Sequence, residues 1–146
     1  MREEDLAALA GRPLPGGRYR IEDAQNRAFC EAVGATADPQ GLAHPLYYYI
    51  ATQAAMGVSV DELLAMCEFD VNDGPMMVGS DASFTRELKV GIDYAVSGEI
   101  VSLVRKPSRA FGTADTLTFR LTLTDPQDGE CVVATSSWIL PRRNLA

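Results

Sequence analysis

The sequence predicts a single α+β domain, helices first and a four- or five-stranded antiparallel sheet after them. Three observations carry that expectation. The 146 residues suit one domain with one core. In the first half, helical patterns end at glycines, and the run from Pro39 to Val60 carries no charge. The second half changes to a period of two. Over 116–124, Leu117, Phe119, Leu121 and Leu123 alternate with Thr116, Thr118, Arg120, Thr122 and Thr124. Such a strand packs one face on something apolar and leaves the other polar, which is an antiparallel pattern.

Residues 3–10 (EEDLAALA) read as a short acidic helix ended by Gly11. RPLPGG at 12–17 reads as a loop, because two prolines and two glycines oppose regular structure. Residues 1–17 therefore form an N-terminal helix and loop ahead of a domain over 18–146. Arg18–Ile21 is a candidate short strand. EDAQNRAFCEAVG (22–34) places Ala24, Ala28, Phe29, Ala32 and Val33 near one helical face, with Gly34 as its stop.

The uncharged helix starts at Pro45, where a missing N–H costs nothing, and His44 falls near its N-cap. LYYYIATQAAM is apolar or neutral on every face, as for a helix buried on most sides, and it is hydrophobic enough to lie in the concave side of the sheet. Gln53 on that helix needs a hydrogen-bond partner. Gly57 ends the helix, and Ser59 with Glu62 has capping-box spacing for a further helix, VDELLAMCEF. ASFTREL, YAVSGEIVSLV, DTLTFRLTLTD and ECVVATSSWIL are strand-like, and PQDG at 126–129 is a hairpin turn.

Composition narrows the function. A net charge of −7 argues against a nucleic-acid partner, which needs basic surface. RKPSR at 105–109 and Arg142–Arg143 read as solvated turn residues, with contact to one phosphorylated cofactor as the alternative. Cys30, Cys67 and Cys131 form no metal-binding pattern with the single histidine, so no metal is expected. They read as reduced, buried thiols of a cytoplasmic protein. MREEDLAALAG lacks the apolar core of a signal peptide. The solidly apolar part of the uncharged run, about 46–58, is shorter than the ~20 residues of a membrane span.

Several segments together resemble one family. FCEAVG followed by Asp38–Pro39, GLAHPLYY at 41–48, ELKVGIDYAVSGEIVSL at 87–103 and TLTFRLTLTDPQDGECVVATSSWILPR at 116–142 are similar in order and spacing to MaoC-like (R)-specific enoyl hydratases and 3-hydroxyacyl dehydratases. The resemblance covers about 18–142. It implies a single hot-dog domain, a long central helix wrapped by a curved antiparallel sheet. It also implies an acyl-thioester substrate on coenzyme A or acyl carrier protein, no cofactor, and a homodimer or a heterodimer with a second hot-dog chain. If the chain is active, the resemblance implies a hydro-lyase.

The family's catalytic signature, Asp-x-Asn-Pro-x-His, is matched here only at Asp38–Pro39. Pro45 stands where active single-domain members commonly have glycine. In these respects the chain resembles the non-catalytic N-terminal-type halves, so a non-catalytic subunit of a heteromeric dehydratase is the alternative. A hot-dog thioesterase ranks lower, since the central helix has no acidic residue before Asp61.

The site follows from the chemistry of that reaction. Moving a proton at C2 or on water needs a carboxylate and a histidine within reach of one water, and here the candidates are Asp38 and His44. His44 reads as general base, as donor to the thioester oxygen, or as a helix cap. The thioester oxygen gains charge as C2 becomes enolate-like, and the N–H groups of Leu46 or Tyr47 in the first helical turn are candidate donors to it. Tyr48, Met76, Met77 and Phe84 are candidates to line an acyl tunnel, adaptable methionines being suited to that role.

Overall fold

The computed structural model describes residues 1–143. Its order is α1 (Glu3–Ala7), β1 (Pro13–Arg20), α2 (Asp23–Ala32), α3 (Tyr47–Ala55), α4 (Val60–Met66), a 3-10 turn at Val71–Asp73, then β2 (Met76–Phe84), β3 (Asp93–Ser108), β4 (Gly112–Asp125) and β5 (Gly129–Pro141). The five strands form one antiparallel sheet in the order β1-β3-β4-β5-β2. Register shifts interrupt every strand pair. Such bulges bend a strand and raise its twist, which lets the sheet curl around α3. The expected α+β, hot-dog arrangement of a central helix held by a curved sheet is the one observed.

The alternation in β4 holds throughout: Leu117, Phe119, Leu121 and Leu123 are all buried, and the threonines between them lie on the other face. Register carries that face across the sheet. Leu117 pairs with Leu103 and Trp138, and Trp138 with Met77; Phe119 pairs with Ser136, and Ser136 with Ser80; Leu123 pairs with Val132, and Val132 with Phe84. Met77, Ser80, Ala82 and Phe84 therefore line the helix-facing side of edge strand β2. The turn after β4 is an Asx turn, with the Asp125 carboxylate accepting from the N–H of Gln127 and Asp128 at 2.8 and 3.3 Å.

Residues 13–17 are strand, not loop. β1 is an edge strand, where proline's missing N–H breaks no ladder. The two glycines serve close packing: the C-terminus of α3 sits on them, with the Gly16 N–H donating to the Met56 carbonyl at 2.9 Å. A Cβ at Gly17 would lie 2.9 Å from the Ala55 carbonyl oxygen. β2 likewise starts at Met76 and ends at Phe84, so 85–88 of ASFTREL lie beyond it.

Helix α2 corrects a second expectation. Ala24, Ala28, Ala32 and Val33 are exposed, Phe29 is half-buried, and the helix packs through Asn26 and Cys30. The nine-residue α3 buries Tyr47, Ala51, Thr52 and Ala55, leaves Ile50 and Gln53 half-buried, and follows the exposed Leu46. It is thus covered on one side by its own sheet. The Ser59–Glu62 capping box starts α4 as expected. All three cysteines are free and buried. Among the described residues no helix is long and apolar enough to cross a membrane.

Arg105 and Arg142 are not solvated turn residues. Arg105 lies in β3, and its Nε sits 2.8 Å from the Asp115 carboxylate, while the Arg142 Nε approaches the same carboxylate at 2.7 Å. Asp115 is fully buried. Arg142 also donates to the Glu68 and Cys67 carbonyls at the end of α4 and covers the Phe69 ring. These two arginines are structural cross-links.

Candidate functional site

A cleft of about 440 Å³ opens at the N-terminal end of α3. The loop 34–46 forms one wall, held by an isolated bridge between Leu42 and Lys89 and by the Ala43 N–H donating to the Leu88 carbonyl at 2.8 Å. Asp38, His44, Cys30, Phe84, Glu87 and Leu88 line it. The structure thus brings together Asp38, His44 and Phe84, three of the residues singled out by sequence.

His44 is fixed at both ends. Its backbone N–H donates to the side-chain oxygen of Asn26 at 2.8 Å, and its ring packs edge-on against Phe29 with centroids 5.0 Å apart. Its Nδ1 accepts the Leu46 N–H at 3.1 Å. A nitrogen that accepts has no proton, so this bond assigns the neutral ring its proton at Nε2. His44 is therefore both a cap of the first helical turn and a donor available at Nε2. A base needs a free lone pair, and the Nδ1 lone pair is taken.

The same contacts decide the two backbone donors. The Leu46 N–H is used by His44 Nδ1, and the Tyr47 N–H donates to the His44 carbonyl at 3.0 Å. Tyr48 follows suit, its N–H donating to the Pro45 carbonyl at 3.1 Å. The helix mouth has no spare N–H at these positions. Asp38 accepts the Gln40 N–H through Oδ1 at 2.6 Å, an Asx turn that leaves Oδ2 to the cleft.

The other singled-out residues are divided. Leu46, Tyr48 and Met77 line a second, shallower cleft of about 370 Å³ together with Phe29, Tyr49, Ile50 and Ser80. Tyr47 lines neither cleft: it is 4% exposed, and its ring packs against Phe29 at 5.4 Å. Burial in that core pushes its phenol above the usual range. Met76 pairs with Ile139 on the outer face of the sheet, so its side chain is on the wrong side for the cleft. Gln53 makes no side-chain hydrogen bond among the described residues, and it flanks a small gap beside Trp138 whose indole N–H is buried without a partner.

Two site residues had no sequence signal. Asn26 is 2% exposed, and its side-chain oxygen also accepts from the Cys30 thiol at 3.8 Å. Nothing in the α2 pattern marks an asparagine as the inward position. Glu87 belongs to a segment that reads as strand, and only the bend after Phe84 turns it to the cleft. Among the described residues no group of three or more His, Cys, Asp or Glu is placed to hold a metal ion.

This is a hot-dog domain. MaoC-like dehydratases are among the solved structures that share its fold. It matches a chain of the ChsH1–ChsH2 complex from Mycobacterium tuberculosis with a TM-score of 0.68 at 14% identity, covering 94% of this chain and 87% of that one. A chain of the HadBC (3R-hydroxyacyl-ACP dehydratase) complex from the same organism matches with a TM-score of 0.65 at 17% identity, covering 90% and 96%. A MaoC-like dehydratase from Rhodospirillum rubrum gives 0.62 at 17% identity, covering 98% of each chain. No protein family and no curated protein matches the chain by sequence.

Proposed function

We propose that this chain binds acyl thioesters of coenzyme A or acyl carrier protein in the cleft at the mouth of α3, as the substrate-holding member of a hydratase/dehydratase pair. The observation that carries the reading is the state of His44. Its Nδ1 is committed to capping α3, which leaves Nε2–H to meet a thioester oxygen. An N–H aimed at an oxygen that gains charge polarises the thioester without itself taking a proton. Asp38 Oδ2 and Glu87 hold water or the carrier's polar groups at the rim, and Phe84 with Leu88 covers the first acyl carbons. Coenzyme A or carrier protein enters as part of the substrate, and the chemistry needs no further cofactor.

The proton-transferring pair is supplied by a second hot-dog chain. The mouth of α3 has no free base on its histidine and no spare N–H in its first turn, and two proteins that share the fold are complexes of two chains. The surface for that chain is the outer side of edge strand β2, where Met76 and Val78 are exposed. Such an unpaired apolar edge is a template for another strand. A second copy of this chain is the competing partner. A thioesterase reading wants a carboxylate on the central helix, and α3 has none. The free, buried cysteines fit a reducing cytoplasm.

The test is paired. Calorimetric titration with a saturated acyl-CoA reads binding, and loss of the enoyl-thioester absorbance band on trans-2-enoyl-CoA reads turnover. Binding without turnover by the chain alone is the expected result. Absence of binding rejects the proposal, and turnover that survives in His44→Ala rejects the role given to His44.

A further inference from the structure

Two clefts meet at one aromatic contact, the Phe84 ring of the first against the Tyr48 ring of the second. The first contains His44 and Phe84; the second runs past Ile50 and Ser80 to Met77. Tyr48 reaches from α3 to β2. Its hydroxyl lies 3.2 Å from that of Ser80, and its ring meets Phe84 edge-on with centroids 5.9 Å apart. Ser80 is in turn 3.5 Å from the hydroxyl of the buried Ser136 on β5. Ser80 and Ser136 face each other in register on the helix-facing side of the sheet, in a row that otherwise holds Phe119 and Ile100. Two hydroxyls on an apolar face need a reason, and the Tyr48 hydroxyl they hold is one.

We infer that Tyr48, latched to Ser80, is a bar that closes the first cleft to long acyl chains and makes this a short-chain acyl-thioester site. The inference rests on the thioester reading of the cleft. A chain bound with its thioester at His44 grows toward Phe84 and meets the Tyr48 ring. Continuing into the second cleft requires the Tyr48–Ser80 bond to break and the ring to swing aside. Each methylene that gains apolar cover raises affinity roughly fourfold. Behind the bar that gain stops.

The experiment is a chain-length series of butanoyl-, hexanoyl- and decanoyl-CoA titrated into wild type, Tyr48→Phe, Ser80→Ala and Tyr48→Ala. Trp138, the only tryptophan, lies beside Met77 across the β5–β2 pair and reports by fluorescence whether a chain has reached the far cleft. In wild type, decanoyl-CoA should bind no tighter than hexanoyl-CoA and leave the Trp138 emission as free coenzyme A leaves it. In Tyr48→Ala, decanoyl-CoA should gain at least tenfold relative to butanoyl-CoA and shift that emission. Tyr48→Phe and Ser80→Ala keep the ring but free the latch. Should Tyr48→Ala not fold, the same gain for decanoyl-CoA in these two, smaller in size, decides the matter.

A wild-type affinity that climbs steadily through decanoyl-CoA overturns the bar. So does a set of variants that change self-association but leave the chain-length profile alone, since the second cleft is then a subunit seam. Failure of every protein to bind any of the three thioesters overturns the parent reading and the bar with it.

Discussion

The guanidinium Nε of Arg142 lies 2.7 Å from the carboxylate of Asp115, a residue with no exposed surface. Arg105 holds the other carboxylate oxygen at 2.8 Å. Removing one member of a buried pair strands the other's charge. Asp115→Ala should therefore cost about 3–5 kcal/mol in urea unfolding. Burial by itself would raise the Asp115 carboxyl, yet its bonds to Arg105 and Arg142 outweigh that and hold it below the ordinary value. A depressed carboxylate contributes stability that is present above its unfolded pKa and is lost as pH falls through the folded one. The wild type should weaken as pH drops below about 4, the ordinary carboxylate value, and Asp115→Asn should lack that part of the acid slope. An unchanged slope in Asp115→Asn would count against the triad.

His44 has separable duties. His44→Ala removes the acceptor for the Leu46 N–H and should cost about 0.5–2 kcal/mol, as other helix-cap losses do. His44→Asn keeps a short acceptor and should recover most of that, while still lacking the N–H proposed for the thioester. Thermal melts and acyl-CoA titrations of the two variants together check this. Equal affinity in His44→Asn and wild type would leave His44 as a cap alone.

Gly57 ends α3 at φ +89°, and a Cβ there would lie 2.6 Å from the Gly16 backbone nitrogen and oxygen. Gly34 ends α2 at φ +75° with open space where its Cβ would go. Both alanine substitutions carry backbone strain of about 1–3 kcal/mol, but only Gly57→Ala must also push α3 off β1. Denaturant midpoints should fall clearly further for Gly57→Ala. Equal falls would mean that the helix–strand contact adapts without cost.

Val78 is 61% exposed at a bulge of the β2 edge. Val78→Lys should leave the fold intact, within about 0.5 kcal/mol, as surface changes usually do. If β2 is the assembly edge, sedimentation velocity will show weaker association for the variant at concentrations where wild type is paired. Identical sedimentation of the two would move the interface elsewhere.

The fold was legible where a pattern repeats over many residues. Period two in 116–124 marks a half-buried strand because side chains alternate across a sheet, and β4 obeys it residue by residue. The Ser59–Glu62 box and the uncharged helix were legible for similar local reasons. RPLPGG misleads because its glycines answer to the end of α3, some 40 residues away in sequence. Helix α2 misleads because its inward side is chosen by the His44 backbone N–H, which rewards Asn26 over three alanines and a valine.

His44 stands out in the sequence alone as the single histidine before the proline of an uncharged helix, and that placed it at a helix mouth. Which nitrogen is free is a matter of the local 3.1 Å bond from Leu46, while the hold of Asn26 on the His44 backbone N–H is what tertiary structure supplies. Asp38 and His44 reach one cleft because the 34–46 loop folds back on Leu88, whereas Tyr48 meets Ser80 only because β2, distant in sequence, pairs with β5 in the sheet that α3 lies against. Local periodicity determined the helices and the sheet, since it depends only on neighbouring residues. The Ala43–Leu88 closure of the cleft, its bar and the anchoring of Arg142 depend on partners 27 to 75 positions apart, which only packing brings together.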